Sequence, residues 1–369
     1  MPVQGKNGLF CHNHKDIAAS GRFRVTFGRS VRKRFESFIH AQRFLNGLRY
    51  KVDEGSFDHR DYLANNPLSF TSLSGQWLTR KEKQVSPGTY SHLKNYIFVA
   101  QQFFGSRNVK EIQYAHLEDF IESLNVSDKT KSNYLSCLHN FYKWLLDRRE
   151  INRTECPVFP SINYQLGMRK TIDKATQQEI IQEVKRISSH VSPKIWLSVK
   201  WLSTYISIRP NELRNLKEGH IDRKQGFFYI PKPKERKPKF IPLIPEDIKI
   251  LNSFPPGLPD LYFFRHSPGV SGASPGSRFG QKLIYKWWKK ACDNLGVQDV
   301  DLYGGTRHSS AVALREHATP EQIRRATMHQ TNKAFERYFQ VSREELIDIY
   351  SKTNNLEVIK QTSKRLGSE

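Results

Sequence analysis

Over residues 68 to about 155, apolar side chains recur at helical spacing with no strand-like alternation. Trp77 and Leu78 fall on one predicted helix, and Tyr90, Leu93, Ile97, Phe98 and Phe103 on a second. Leu117, Phe120, Ile121 and Leu124 mark a third. A fourth starts after Ser127, a good N-cap, and runs through Tyr134, Leu138, Phe141, Tyr142 and Leu145. A block patterned this way can only bury its apolar faces as a helical domain.

The flanking blocks differ. Before it, GRFRVTFGRSVRKRFESF (21 to 38) alternates basic and apolar residues across a Gly28-Arg29 turn. Phe23, Val25 and Phe27 can share one strand face, with Arg22 and Arg24 on the other. A helical stripe of Ile39, Phe44, Leu45, Leu48 and Val52 follows, and SFDHRDYLANNP (56 to 67) reads as linker. After a second linker with Pro157 and Pro160 comes a mixed block. Helical patterns occupy 174 to 190, 193 to 206, 277 to 295, 307 to 317, 320 to 327 and 332 to 340, around one compact β signal at 226 to 243. The predicted class is mainly α with small β-sheets (α+β). The predicted domains are 1–62 (small β-sheet and helix), 68–155 (helical) and 165–355 (mixed), with a basic tail at 356–369.

The chain carries 59 Lys and Arg against 36 Asp and Glu, a net charge of +23. Charge this strong, spread over separate segments, points to a polyanionic partner, with nucleic acid first. The arginines of the first hairpin (Arg22, Arg24, Arg32) suit a DNA-facing sheet or a solvated one. Lys129 and Lys131, at the start of the helix after Ser127, suit a phosphate site or solvent. The four cysteines are widely spaced, which favours a reducing cytoplasm. No apolar run reaches membrane-spanning length. The CHNH stretch at 11 to 14 lacks a second ligand cluster at finger spacing, so no metal is expected.

Gly-rich phosphate loops and HExxH are not found in the sequence. Phosphodiester chemistry here would therefore need a side-chain nucleophile, cations for the pentavalent transition state and a proton source for the leaving group. Four stretches supply these parts. ISIRPNELRNL (206 to 216) puts Arg209 at a helix start, with Pro210 in the first turn. IPKPKERKPKFIPL (230 to 243) is a lysine-rich hairpin. DLYGGTRHSSAVAL (301 to 314) holds Arg307 and His308, and MHQTNKAFERYFQ holds His329 and Tyr338.

In order and spacing these stretches resemble the tyrosine recombinases, the phage integrase family. The resemblance covers the whole third block. It makes the second block a core-binding domain and the first an arm-binding domain. It implies that Tyr338 is the nucleophile, giving a 3′-phosphotyrosyl intermediate and a free 5′-hydroxyl. Arg209 and Arg307 would clamp the non-bridging phosphate oxygens, and His329 would hydrogen-bond the phosphate. Lys234 would be the general acid, with Lys232 and Lys237 as register alternatives or backbone grips. Glu212 would brace Arg209. One position departs from the family pattern of His-x-x-Arg: the residue three before Arg307 is Gly304. Tyr303 and His308 are the neighbours that could substitute. The resemblance further implies no cofactor, a homotetramer on double-stranded DNA at core and arm attachment sites, DNA-bending accessory proteins as candidate partners, and a place in the bacterial cytoplasm with the nucleoid. LIDIY (346 to 350) would dock on a neighbour or pack as a core helix. The alternatives are a DNA-binding protein of this fold with weak cleavage and a DNA-relaxing enzyme of the type IB topoisomerase kind.

Overall fold

The computed structural model describes residues 23–28, 31–165, 167, 169–234, 237–268, 272–328, 347, 350 and 351. The chain divides into two compact units, 1–166 and 167–369.

The first unit contains two apolar cores. Strands β1 (Phe23–Phe27) and β2 (Val31–Phe35) pair antiparallel, Phe23 opposite Phe35 and Phe27 opposite Val31. Val25, Phe27 and Val31 turn inward onto Ala41, Leu45 and Leu48 of helix α1 (Phe38–Asp53). Two residues of the expected stripe miss this core, Ile39 and Val52 being 58% and 47% exposed. The helix outruns its cover. Sixteen helical residues extend about 24 Å at 1.5 Å each, whereas a five-residue strand spans roughly 17 Å.

The segment read as linker is tied down. Asp58 caps a 3₁₀ turn at His59–Tyr62 and accepts hydrogen bonds from Arg60 and Lys110, while Arg60 also pairs with Glu150. Burial alone would raise the Asp58 carboxyl pKa, but the bonds from Arg60 and Lys110 win and hold it well below the usual carboxylate range.

The second core is built by α2 (Phe70–Glu82), α3 (Pro87–Phe104), α4 (Tyr114–Glu122) and α5 (Asp128–Asp147) around Trp77, Phe104, Phe120, Phe141 and Leu145. Ser69, Ser86 and Ser127 cap three of these helices by accepting from backbone N–H groups at Ser72, Thr89 and Thr130. Ile97, Ala100 and Phe104 form the inward face of α3, which leaves Phe98 and Phe103 exposed.

In the second unit, α6 (Lys174–Ser188), α7 (Pro193–Thr204) and α8 (Pro210–Arg214) precede an antiparallel sheet of order β3-β4-β5. Its strands are β3 (Ile221–Asp222), β4 (Phe227–Ile230) and β5 (Lys239–Pro242). Then come α9 (Pro245–Asn252), α10 (Leu283–Asn294), a π-helical turn at Gly304–His308, α11 (Ser309–Ala313) and α12 (Pro320–Thr327). The core centres on Trp201, which packs on Phe228, Phe263 and Phe264. Among the described residues no helix is long and apolar enough to cross a membrane.

Candidate active site

Arg209 is the N-cap residue of α8, and Pro210 fills the first helical position, where its missing N–H costs nothing. The third helical residue, Glu212, turns back on the cap. Its Oε2 accepts the Arg209 backbone N–H at 3.1 Å and its Oε1 accepts Arg209 Nη1 at 3.2 Å. Glu212 also reaches across to the hairpin. Oε1 accepts the Lys234 backbone N–H at 3.1 Å, and Oε2 accepts Lys239 Nζ at 2.9 Å. A single buried carboxylate thus anchors both the first arginine and the lysine-bearing loop.

The second arginine joins the same network. The carbonyl oxygen of Ser207 accepts Lys239 Nζ at 2.8 Å and Arg307 Nη1 at 3.4 Å. Arg307 Nη2 donates to the Thr327 carbonyl at 3.0 Å, which fixes the end of α12. Arg307 is 1% exposed and Lys239 is 2% exposed. Burying such charges is tolerable only with partners in good geometry, and Glu212 with the two carbonyls supplies them.

Arg307 sits inside the π-helical turn. Its guanidinium lies over the Tyr303 ring at 5.7 Å, and Arg169 lies over the same ring at 5.0 Å. Arg169 is itself paired with Asp301. Tyr303 also packs against the buried His308, with ring centroids 5.2 Å apart. The glycines of YGGTR are dictated by packing. A Cβ on Gly304 would stand 2.6 Å from the Lys170 carbonyl oxygen, and one on Gly305 would stand 2.1 Å from Trp288.

The structure thus brings Arg209, Glu212, Lys234 and Arg307 into one network, with Tyr303 and His308 beside Arg307. Lys232 and Lys234 are exposed on the hairpin and line, with Arg209, an open cleft of about 530 Å³. Lys237 is exposed just before β5. His329 and Tyr338 lie outside the described residues, as does Arg22. Of LIDIY, Ile347 and Tyr350 are described and exposed.

In the first unit, Arg24 and Arg32 are exposed on the outer face of the hairpin. Lys129 donates to the Tyr164 hydroxyl at 2.9 Å and lies over its ring, so it is engaged rather than simply solvated. Lys131 is half-buried in the first turn of α5.

Two residues escaped the sequence reading. Arg34 stands directly opposite Arg24, on the same outer face. Lys239 shares its strand face with the buried Ile241, and two-residue alternation would have turned it inward.

Residues 78–149 match the family model of the N-terminal SAM-like domain of phage integrases. No curated protein matches the chain by sequence. Similar solved structures include a lambda integrase tetramer bound to a Holliday junction, at 11% identity and TM-score 0.57, covering 89% of this chain and 97% of that one. The Tn1549 transposon integrase in complex with circular intermediate DNA aligns at 11% identity and TM-score 0.52, covering 77% and 99%. The XerH site-specific recombinase bound to palindromic difH substrate aligns at 17% identity and TM-score 0.51, covering 71% and 76%. The fold is therefore that of the tyrosine recombinases. Within it, the stretch from Leu78 to Arg149 is of the phage integrase SAM-like type.

Proposed function

We propose that this chain is a site-specific DNA recombinase of the integrase kind. The observation that carries the reading is the joining of Arg209 and Arg307, distant in sequence, through Glu212, Lys239 and the Ser207 carbonyl. Two guanidiniums held by one network suit the two non-bridging oxygens of a phosphodiester.

In this reading the Tyr338 oxygen attacks phosphorus and loses its proton. The bond to the 5′-oxygen breaks, Lys234 protonates that oxygen, and the DNA 3′ end stays on Tyr338 as a phosphotyrosine. A 5′-hydroxyl of a partner duplex then attacks the phosphotyrosine, releasing Tyr338 and restoring a phosphodiester. The bond energy is kept in the intermediate, so strand joining needs no nucleotide. Arg209, Arg307 and His329 offset the charge on phosphorus oxygens as it builds. A free phenol titrates near about 10, so these cations must favour the phenolate at attack. Tyr303 and His308, beside Arg307, take the proton-handling place that Gly304 leaves without a side chain.

The relatives solved on DNA, one of them a tetramer on a Holliday junction, support DNA and a homotetramer as the assembly. The block 1–62 would address arm sites through Arg22, Arg24 and Arg32. The block 68–155 would grip the core site with Lys129 and Lys131, and 165–355 would cut it with Lys232 and Lys237 on the backbone. A phage or other mobile element is the natural source of the sites, and DNA-bending proteins are candidate helpers. Closure of position 304 favours a second reading, a binding protein of this fold with little cleavage.

The test uses paired duplexes carrying the element's own attachment sequences. Recombinant products that need those sequences support the proposal. Relaxation of any supercoiled plasmid would instead mark a topoisomerase-like enzyme. Specific binding without strand exchange would favour the binding protein.

A further inference from the structure

We infer that Lys239 is a positioning residue for both active-site arginines; the inference rests on the recombinase reading for its activity test. Its ammonium bridges the Glu212 carboxylate, at 2.9 Å, and the Ser207 carbonyl, at 2.8 Å. Each of those acceptors also holds one arginine. Glu212 takes the Arg209 guanidinium, and Ser207 takes Arg307. Lys239 is 2% exposed, at the start of a strand whose next inward residue is the buried Ile241. It is therefore placed inside the network that holds the arginines rather than in the solvent-facing hairpin loop that carries Lys234.

The physical consequence is directional. Without the ammonium, Glu212 keeps Arg209 but loses the positive charge on its Oε2 side. The Ser207 carbonyl loses its shorter donor and keeps the longer bond from Arg307. The two guanidiniums lose their common rigid link, so their spacing can relax. Misplacement of catalytic groups by about 1 Å can cost about 100-fold in rate. DNA affinity, spread over many backbone phosphates, should barely change.

The test compares native protein with Lys239→Gln and Lys239→Arg. Three quantities are measured: cleavage of a nicked suicide duplex at saturating protein, affinity for the same duplex, and the side-chain Nε–Hε NMR signals of Arg209 and Arg307. Assignment uses Arg209→Lys and Arg307→Lys. The expected result for Lys239→Gln is a cleavage rate about 100-fold lower, affinity within a few-fold of native, and both arginine signals shifted or broadened. Lys239→Arg, which keeps the charge in another shape, should fall between. Thermal melting confirms that each variant is folded. Should Lys239→Gln not fold, Lys239→Arg decides, because its arginine signals must still move.

Native rates and native arginine signals in the folded variants would overturn the inference while leaving the recombinase reading intact. Arginine signals that shift in Lys239→Gln, while the native protein itself cuts no DNA, would overturn the recombinase reading and leave the positioning role standing.

Discussion

The Lys170 carbonyl oxygen occupies the space into which a side chain at Gly304 would have to grow, 2.6 Å from the position of its Cβ. The backbone before α6 thus closes this point of the site. Gly304→Ala should destabilise the second unit by about 1–3 kcal/mol, as overpacking does. Urea midpoints of variant and native protein check this. Gly304→His should fare worse and should not raise activity. Equal midpoints for native and Gly304→Ala would mean that the 170 backbone yields freely.

Tyr303 packs beside Arg307, where the proposed recombinase needs a proton-handling group. Its ring meets both the Arg169 and Arg307 guanidiniums and packs against His308. Tyr303→Phe keeps the ring and removes only the hydroxyl. General acid–base assistance is worth about 100-fold or more, so a loss near that size is expected in single-turnover cleavage, with DNA affinity unchanged. A native rate would shift the role to His308.

On the outer face of the β1–β2 hairpin, Arg24 stands opposite Arg34, with Arg32 on the same side. Like charges directly opposite are destabilising without a counter-charge. A phosphate backbone would supply it. Replacing all three by Gln should lower the slope of log affinity against log salt for arm-site DNA by about 0.9 for each phosphate no longer neutralised. Fluorescence anisotropy across a salt series measures this, and an unchanged slope would remove this face from the arm interface.

Lys194, in α7, lies over the Phe263 ring at 4.1 Å and donates to the Phe263 carbonyl. Burial, with help from Arg265 and Arg223, pushes its pKa from 10.5 down to about 8. Between those values the unfolded chain binds more protons at this group than the folded one does. The group's contribution therefore opposes folding most below pH 8 and is relieved as pH rises towards 10.5. Stability of native protein relative to Lys194→Met should rise over that window. A difference that stays flat in urea titrations at both ends would contradict the assignment.

Much of this architecture was legible because it depends on local rules. Ser127 caps α5, Pro210 opens α8 behind Arg209, and the apolar run before Lys234 pairs with the one ending at Pro242. What escaped depends on partners distant in sequence. Periodicity finds a helical stripe but not how far its cover extends, so it points Ile39, Val52 and Phe98 inward although they lie exposed. The 56–67 stretch looks polar and linker-like, yet its Asp58 and Arg60 are fixed by Lys110 and Glu150. Lys239 is hidden among the hairpin lysines, although strand alternation marks it as the inward one. Nothing local signals a π-helical turn, whose glycines answer to Lys170 and Trp288.

The central claim is covalent chemistry at Tyr338, and a nicked suicide duplex carrying the core attachment sequence tests it most directly. Cleavage there releases a short strand that cannot rejoin, so the protein stays on the DNA. The expected result is a covalent band on a denaturing gel with native protein, no band with Tyr338→Phe, and a DNA-linked peptide containing Tyr338. A band that persists in Tyr338→Phe would contradict the claim and direct the search to Tyr350.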